Sequence, residues 1–78
     1  MTKLMQACYK GDSECAQLLI EAGATINAAD EAGWTALMWA AHYGQNACTR
    51  ALIEAGAAVD TQNKAGVTAL MLAANNSS

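Results

Sequence analysis

Gly33-Trp34-Thr35-Ala36-Leu37-Met38-Trp39-Ala40-Ala41 returns 33 residues later as Gly66-Val67-Thr68-Ala69-Leu70-Met71-Leu72-Ala73-Ala74. Leu19-Ile20-Glu21-Ala22-Gly23-Ala24 likewise returns as Leu52-Ile53-Glu54-Ala55-Gly56-Ala57. The period reaches the N-terminus, where Thr2, Leu4, Met5, Ala7 and Gly11 stand 33 before Thr35, Leu37, Met38, Ala40 and Gly44. Pairing residues 1–45 with 34–78 gives 20 identities in 45 pairs, far more than the alanine content would give by chance. A fixed period of this length marks stacked supersecondary units, each too small to bury its apolar face alone. Stacked units present an extended surface, which points to binding as the class of function.

Each period reads as two short helices and a long connection. In the middle unit Thr35 is placed to cap the first helix with its hydroxyl. Leu37, Ala40 and Ala41 then recur at helical spacing, and Gly44 ends the helix. The second helix spans about Asn46 to Ala55, with Cys48 and Leu52 on its apolar face and Gly56 as its stop. The first unit copies this plan, with helices over about Lys3 to Lys10 and Ser13 to Ala22, stopped by Gly11 and Gly23. The third supplies only a first helix, about Thr68 to Asn75. The expectation is an all-α chain of five helices, divided as 1–29, 30–62 and 63–78, with Ile26 and Val59 as inward anchors in the connections.

Composition narrows the classes. The chain has 78 residues and no proline or phenylalanine, with 54% hydrophobic residues, many of them alanine. Alanine is the best helix former, and few residues are β-branched. A core of this size supplies only about 3–5 kcal/mol net. The net charge is −3, and the basic residues Lys3, Lys10, Arg50 and Lys64 are scattered. Nucleic-acid phosphate needs clustered Lys and Arg, so that partner is not expected. No apolar run is long enough for a membrane helix. No signal peptide is read either, because Met1 falls in register with Trp34. The three cysteines, Cys8, Cys15 and Cys48, are odd in number and lack a C-x-x-C spacing. They read as free thiols of a cytoplasmic protein. Cys15 and Cys48, one period apart, are expected to share a buried helix face.

These residues resemble ankyrin repeats. The resemblance rests on the Gly-x-Thr-x-Leu-x-x-Ala-Ala opening, the midpoint glycines Gly11 and Gly44, and the Leu-Ile-x-Ala-Gly-Ala close, and it covers Thr2 to Ala74. It implies an ankyrin-repeat solenoid of about two and a half helix-turn-helix repeats, with β-hairpin-like loops projecting to one side. Where the family carries Thr-Pro-Leu-His, this chain has Thr35-Ala36-Leu37-Met38 and Thr68-Ala69-Leu70-Met71. Proline's pre-organisation at the first helical turn is lost, and methionine substitutes flexible apolar packing for histidine's hydrogen bonds. Gln6, where the other units have Trp39 and Leu72, marks a polar N-terminal capping unit.

The resemblance further implies a protein partner held by the loop tips and the exposed face of the first helices. Position by position, the loop-tip sites are Asp30, Glu31, Trp34, Asn63, Lys64 and Val67, and the helix-face sites are Tyr9, Lys10, His42, Tyr43, Asn75 and Asn76. Trp34, His42 and Tyr43 stand out, because Trp and Tyr are enriched among binding hot spots. Glu31 and Lys64 would tune polarity. Trp39, at the family's buried leucine position, is expected in the core.

No chemistry is expected. His42 has no second histidine to pair with, and the cysteines do not reach the four ligands of a zinc site. Cys48 with His42 is the only formal nucleophile and base pair, and Cys48 should face the core. Asp30 with Glu31 reads as a solvated acidic tip. No phosphate loop is present, so neither a metal nor a cofactor is called for. The tail carries the sequons Asn75-x-Ser77 and Asn76-x-Ser78, which read as chance matches in a polar end. A second reading makes the unpaired fifth helix an assembly surface, with Leu70, Met71 and Leu72 as the interface of a two-fold homodimer. In a third, the chain is a piece of a longer array.

Overall fold

In a computed structural model, residues 2–76 are described, with the backbone alone for Asn76. Met1, Ser77 and Ser78 lie outside them, and with them the register of Met1 with Trp34 and the serines of both sequons. Five helices follow in order: α1 (Lys3–Lys10), α2 (Ser13–Glu21), α3 (Ala36–His42), α4 (Asn46–Glu54) and α5 (Ala69–Asn76). They match the expected spans to within about one residue at each end.

The matching ends have a local cause. Each first helix opens on a threonine hydroxyl that accepts an amide of the first turn. Thr2 Oγ1 accepts from Met5 N at 3.1 Å, Thr35 Oγ1 from Met38 N at 3.3 Å, and Thr68 Oγ1 from Met71 N at 3.3 Å. Asp12 does the same for α2, accepting from Cys15 N at 3.1 Å. Gln45 at the head of α4 makes no side-chain cap; its amide reaches back to the Tyr9 carbonyl at 3.5 Å. It thereby ties the second unit to the first.

Helices α1, α3 and α5 pack side by side in one layer, and α2 and α4 form a second layer against it. The connections are stiffened by their own side chains. Asp30 accepts from the amides of Ala32 and Trp34, and Asn63 accepts from those of Ala65 and Val67. A single antiparallel bridge pairs Ala29 with Thr35. The loops are therefore hairpin-like, without true strands among the described residues. Lys64 N donates to the Ala32 carbonyl at 3.0 Å and joins one loop tip to the next.

Leu4, Met5, Cys8, Met38, Cys48 and Leu52 are the largest fully buried side chains. Of the two methionines in place of the family's histidine, Met38 is thus a core residue at 1% exposure, whereas Met71 is 53% exposed. Gln6 is exposed, as suits an outer unit.

Two burial expectations fail, for one reason. Cys48 is buried but Cys15 is exposed. Val59 is not an inward anchor: it is 45% exposed, whereas Ile26 packs against the core. Cys48 meets Cys8 of the first unit, while among the described residues nothing of that kind covers Cys15. Ile26 is covered by the following unit, while Val59 is followed by α5 alone.

This difference should be readable chemically. Burial first, then the charge and hydrogen bond of Cys48, push the Cys8 thiol from 9.0 up to about 12. Burial also raises Cys48, with the hydrogen bond from Cys8 acting in the opposite sense. The thiolate is the reactive form, so a thiol reagent at neutral pH should label Cys15 alone in the folded chain and all three in denaturant. Mass spectrometry counts the labels, and rapid native labelling at Cys8 or Cys48 would contradict this packing. The unfolded chain ionises these thiols first, so their contribution to stability is full below about pH 9 and is lost as pH rises toward 12.

Candidate functional site

The register of the stack decides which aromatic side chains meet. Tyr9 sits near the end of α1, and Trp39 and His42 project from α3, with Tyr43 capping it. Trp34 ends the loop that enters α3, where its amide is held by Asp30 at 2.9 Å. Trp39 and Tyr43 are one helical turn apart, so their rings lie on the same face. Their planes are 7° from parallel, with centroids 6.1 Å apart.

Around this pair the other rings close edge to face. Tyr9 meets Tyr43 at 4.9 Å and Trp39 at 6.0 Å. His42 meets Tyr43 at 4.8 Å and Trp34 at 5.3 Å. Trp34 leans on Trp39 at 4.7 Å, tilted by 41°. Such separations are the favourable ones for aromatic pairs. The result is one continuous patch of five rings running from α1 across α3 to the loop, with Tyr9 45% and Tyr43 46% exposed.

Trp34, His42 and Tyr43, singled out by the sequence, are thus brought together, with His42 touching both of the others, and Tyr9 joins them through Tyr43. Trp39 was expected only in the core. It is half-buried, packing against the core while its ring completes the patch. Its indole Nε1 is buried with no hydrogen-bond partner among the described residues. The i, i+4 spacing from Trp39 to Tyr43 is the signal that could have placed it in the patch.

The remaining candidates divide. Glu31 and Lys64 are exposed on adjoining loop tips, and Lys10 is exposed at the end of α1. Val67 is half-buried. Asn63 is only 8% exposed, and its carboxamide oxygen is spent on the amides of Ala65 and Val67. Asp30 is half-buried and does the same work in the preceding loop. Both shape their turns, and the half-buried Asp30 departs from the reading of a solvated tip. Asn75 is exposed; the side chain of Asn76 lies outside the described residues. At the far end, Leu70 is 74% and Met71 53% exposed, while Leu72 is half-buried against the core. Leu72 is thus the least exposed of the three residues expected at an assembly interface.

Cys48 is 1% exposed with its thiol raised, and His42 stands in the aromatic patch on the surface. Among the described residues no three His, Cys, Asp or Glu side chains gather to hold a metal ion. Among those residues no helix is long and apolar enough to cross a membrane.

The family description for ankyrin repeats in three copies matches residues 4–78. No characterised protein matches the chain as a relative. With nearly every described residue inside that match, the chain belongs to the ankyrin repeat family.

Proposed function

We propose that this chain holds a protein partner against the aromatic patch of its first helices and entering loop. Ankyrin repeats are in general protein–protein interaction modules. The observation that carries the finer reading is the contiguity of Trp34, Trp39, His42, Tyr43 and Tyr9 on one face. Large, stiff, partly exposed rings bury much area at little entropic cost, which is why Trp and Tyr dominate hot spots. Glu31 and Lys64 on the neighbouring loop tips frame the patch with opposite charges. The chain is read as acting by binding rather than catalysis, since Cys48, its formal nucleophile, is buried with its thiol raised. Free thiols fit a reducing, cytoplasmic setting.

Replacing Trp34 and Tyr43 together by alanine should abolish partner capture, since hot-spot truncations cost about 2 kcal/mol or more each. Affinity capture with the parent chain and the double variant measures this, and circular dichroism verifies that the helices persist. Equal capture by both chains would remove the partner from this face.

A second reading is favoured by the exposure of Leu70 and Met71, whose counterparts Leu37 and Met38 are 2% and 1% exposed. In it the last half-repeat is an assembly surface, for a copy of the chain or for the next unit of a longer array.

A further inference from the structure

Among the described residues, the one buried side-chain nitrogen or oxygen without a hydrogen-bond partner is Nε1 of Trp39, in the middle of the aromatic patch. A buried donor left without an acceptor is destabilising, and native proteins keep few of them. The rings packed on Trp39 include Tyr9 and Tyr43, which are 45% and 46% exposed. Exposed side chains change rotamer within nanoseconds. A turn of either ring opens a way to the indole edge for an arriving acceptor.

Three backbone forms can lie across such a patch, and the donor discriminates between them. A helix has already spent its carbonyls on its own amides. A strand brings as many amides as carbonyls, and a face made of rings has few acceptors to give them. A polyproline II segment has no internal hydrogen bonds, so its carbonyls are free, and its prolines carry no amide at all. It alone delivers acceptors without bringing donors. The ring geometry agrees. Trp39 and Tyr43 lie 7° from parallel with centroids 6.1 Å apart, and Trp34 continues the row 4.7 Å from Trp39. Those two steps compare with one turn of polyproline II, which advances about 9 Å. The complementarity is electrostatic at both contacts. Aromatic faces are the negative part of the ring quadrupole, and they meet the partly positive ring hydrogens of proline. The indole N–H meets a carbonyl oxygen.

We infer that the patch takes a proline-rich segment of the partner in the polyproline II conformation, with one of its carbonyls accepting from Trp39 Nε1. Such a segment is ordered before it binds and loses little entropy on docking. The inference rests on the aromatic patch as the binding face proposed above, and adds the class of partner and the part played by Trp39.

The test is a titration of the isotope-labelled full chain with decaproline, up to millimolar concentration. Two peptides of equal length run beside it, an alanine-lysine helix former and an alternating threonine-valine strand former. The chain has two tryptophans, so Trp39→Phe tells their indole N–H signals apart. Decaproline should move the Trp39 indole signal saturably, and the other two peptides should not. Trp39→Phe keeps a flat ring without the donor, and should weaken decaproline binding about threefold to tenfold. Tyr43→Ala removes a half-exposed ring, keeps the fold as circular dichroism can show, and should weaken binding at least as much. Decaproline that leaves the Trp39 indole unmoved, or that binds Trp39→Phe as tightly as the parent chain, overturns the inference. If one of the other peptides moves the patch instead, the class of partner is wrong while the patch stands as a binding face. If no peptide moves it and partner capture also survives the Trp34 and Tyr43 double substitution, both readings fall.

Discussion

Leu52→Ala is expected to leave much of the chain unfolded at room temperature. Leu52 has no exposed surface and sits where α4 meets the first unit on one side and α3 on the other. Truncating a buried leucine costs about 2–5 kcal/mol, the upper end applying where surroundings cannot collapse into the gap. Here they are tied in place, because Gln45 holds the head of α4 to Tyr9 and Asn27 Oδ1 accepts the Ala58 amide at 2.8 Å. A core that supplies about 3–5 kcal/mol net does not survive such a loss. The same substitution at Leu19, the equivalent position of the first unit, should cost roughly half as much, because Leu19 is only partly buried. Urea unfolding followed by circular dichroism compares the two. Equal midpoints would mean that position in the repeat, rather than position in the stack, decides burial.

The second large effect is expected at Gly33. Gly33 and Gly66 are equivalent and share nearly the same left-handed backbone, with φ of 81° and 78°. A side chain at either costs about 1–2 kcal/mol in backbone strain. At Gly66 nothing lies within 4 Å of where a Cβ would stand. At Gly33 that atom would be 3.0 Å from both the Asn63 Cα and the Lys64 N. These are backbone atoms of the next loop, and the loop is held there by the Lys64 amide donating to Ala32 and by Asn63's own turn. Gly33→Ala must therefore push the two loop tips apart, adding about 1–3 kcal/mol of overpacking. Gly66→Ala should show the strain alone. In Gly33→Ala the Lys64 amide should also exchange its hydrogen faster. Equal destabilisation by the two variants would show that the loops do not lean on one another.

Much of the architecture was legible before any packing was known, and the residues say why. Thr2, Thr35 and Thr68 start helices through bonds reaching three residues along the chain, and Gly11 ends α1 through its own left-handed backbone. Such signals need no neighbour. Trp34, His42 and Tyr43 were likewise legible as a set, since the resemblance put all three on the loop tip and first-helix face and Trp and Tyr are frequent binding anchors. What was missed was Trp39's share in the patch and the structural employment of Asp30 and Asn63. The first depends on how deep a ring sinks between α1 and α3. The second depends on which amides the loop turns toward a carboxylate or carboxamide.

The sequence by itself determined the 33-residue unit, the five helices with their ends, and the family. Only the tertiary structure decided which equivalent residues are buried. Cys48 is covered and Cys15 open, Leu37 is covered and Leu70 open, and Ile26 is packed where Val59 is not. Helix formation is written in bonds a few residues long, so identical repeats fold alike. Burial is supplied by the unit next door, so identical residues at the middle and the ends of a short stack meet different surroundings.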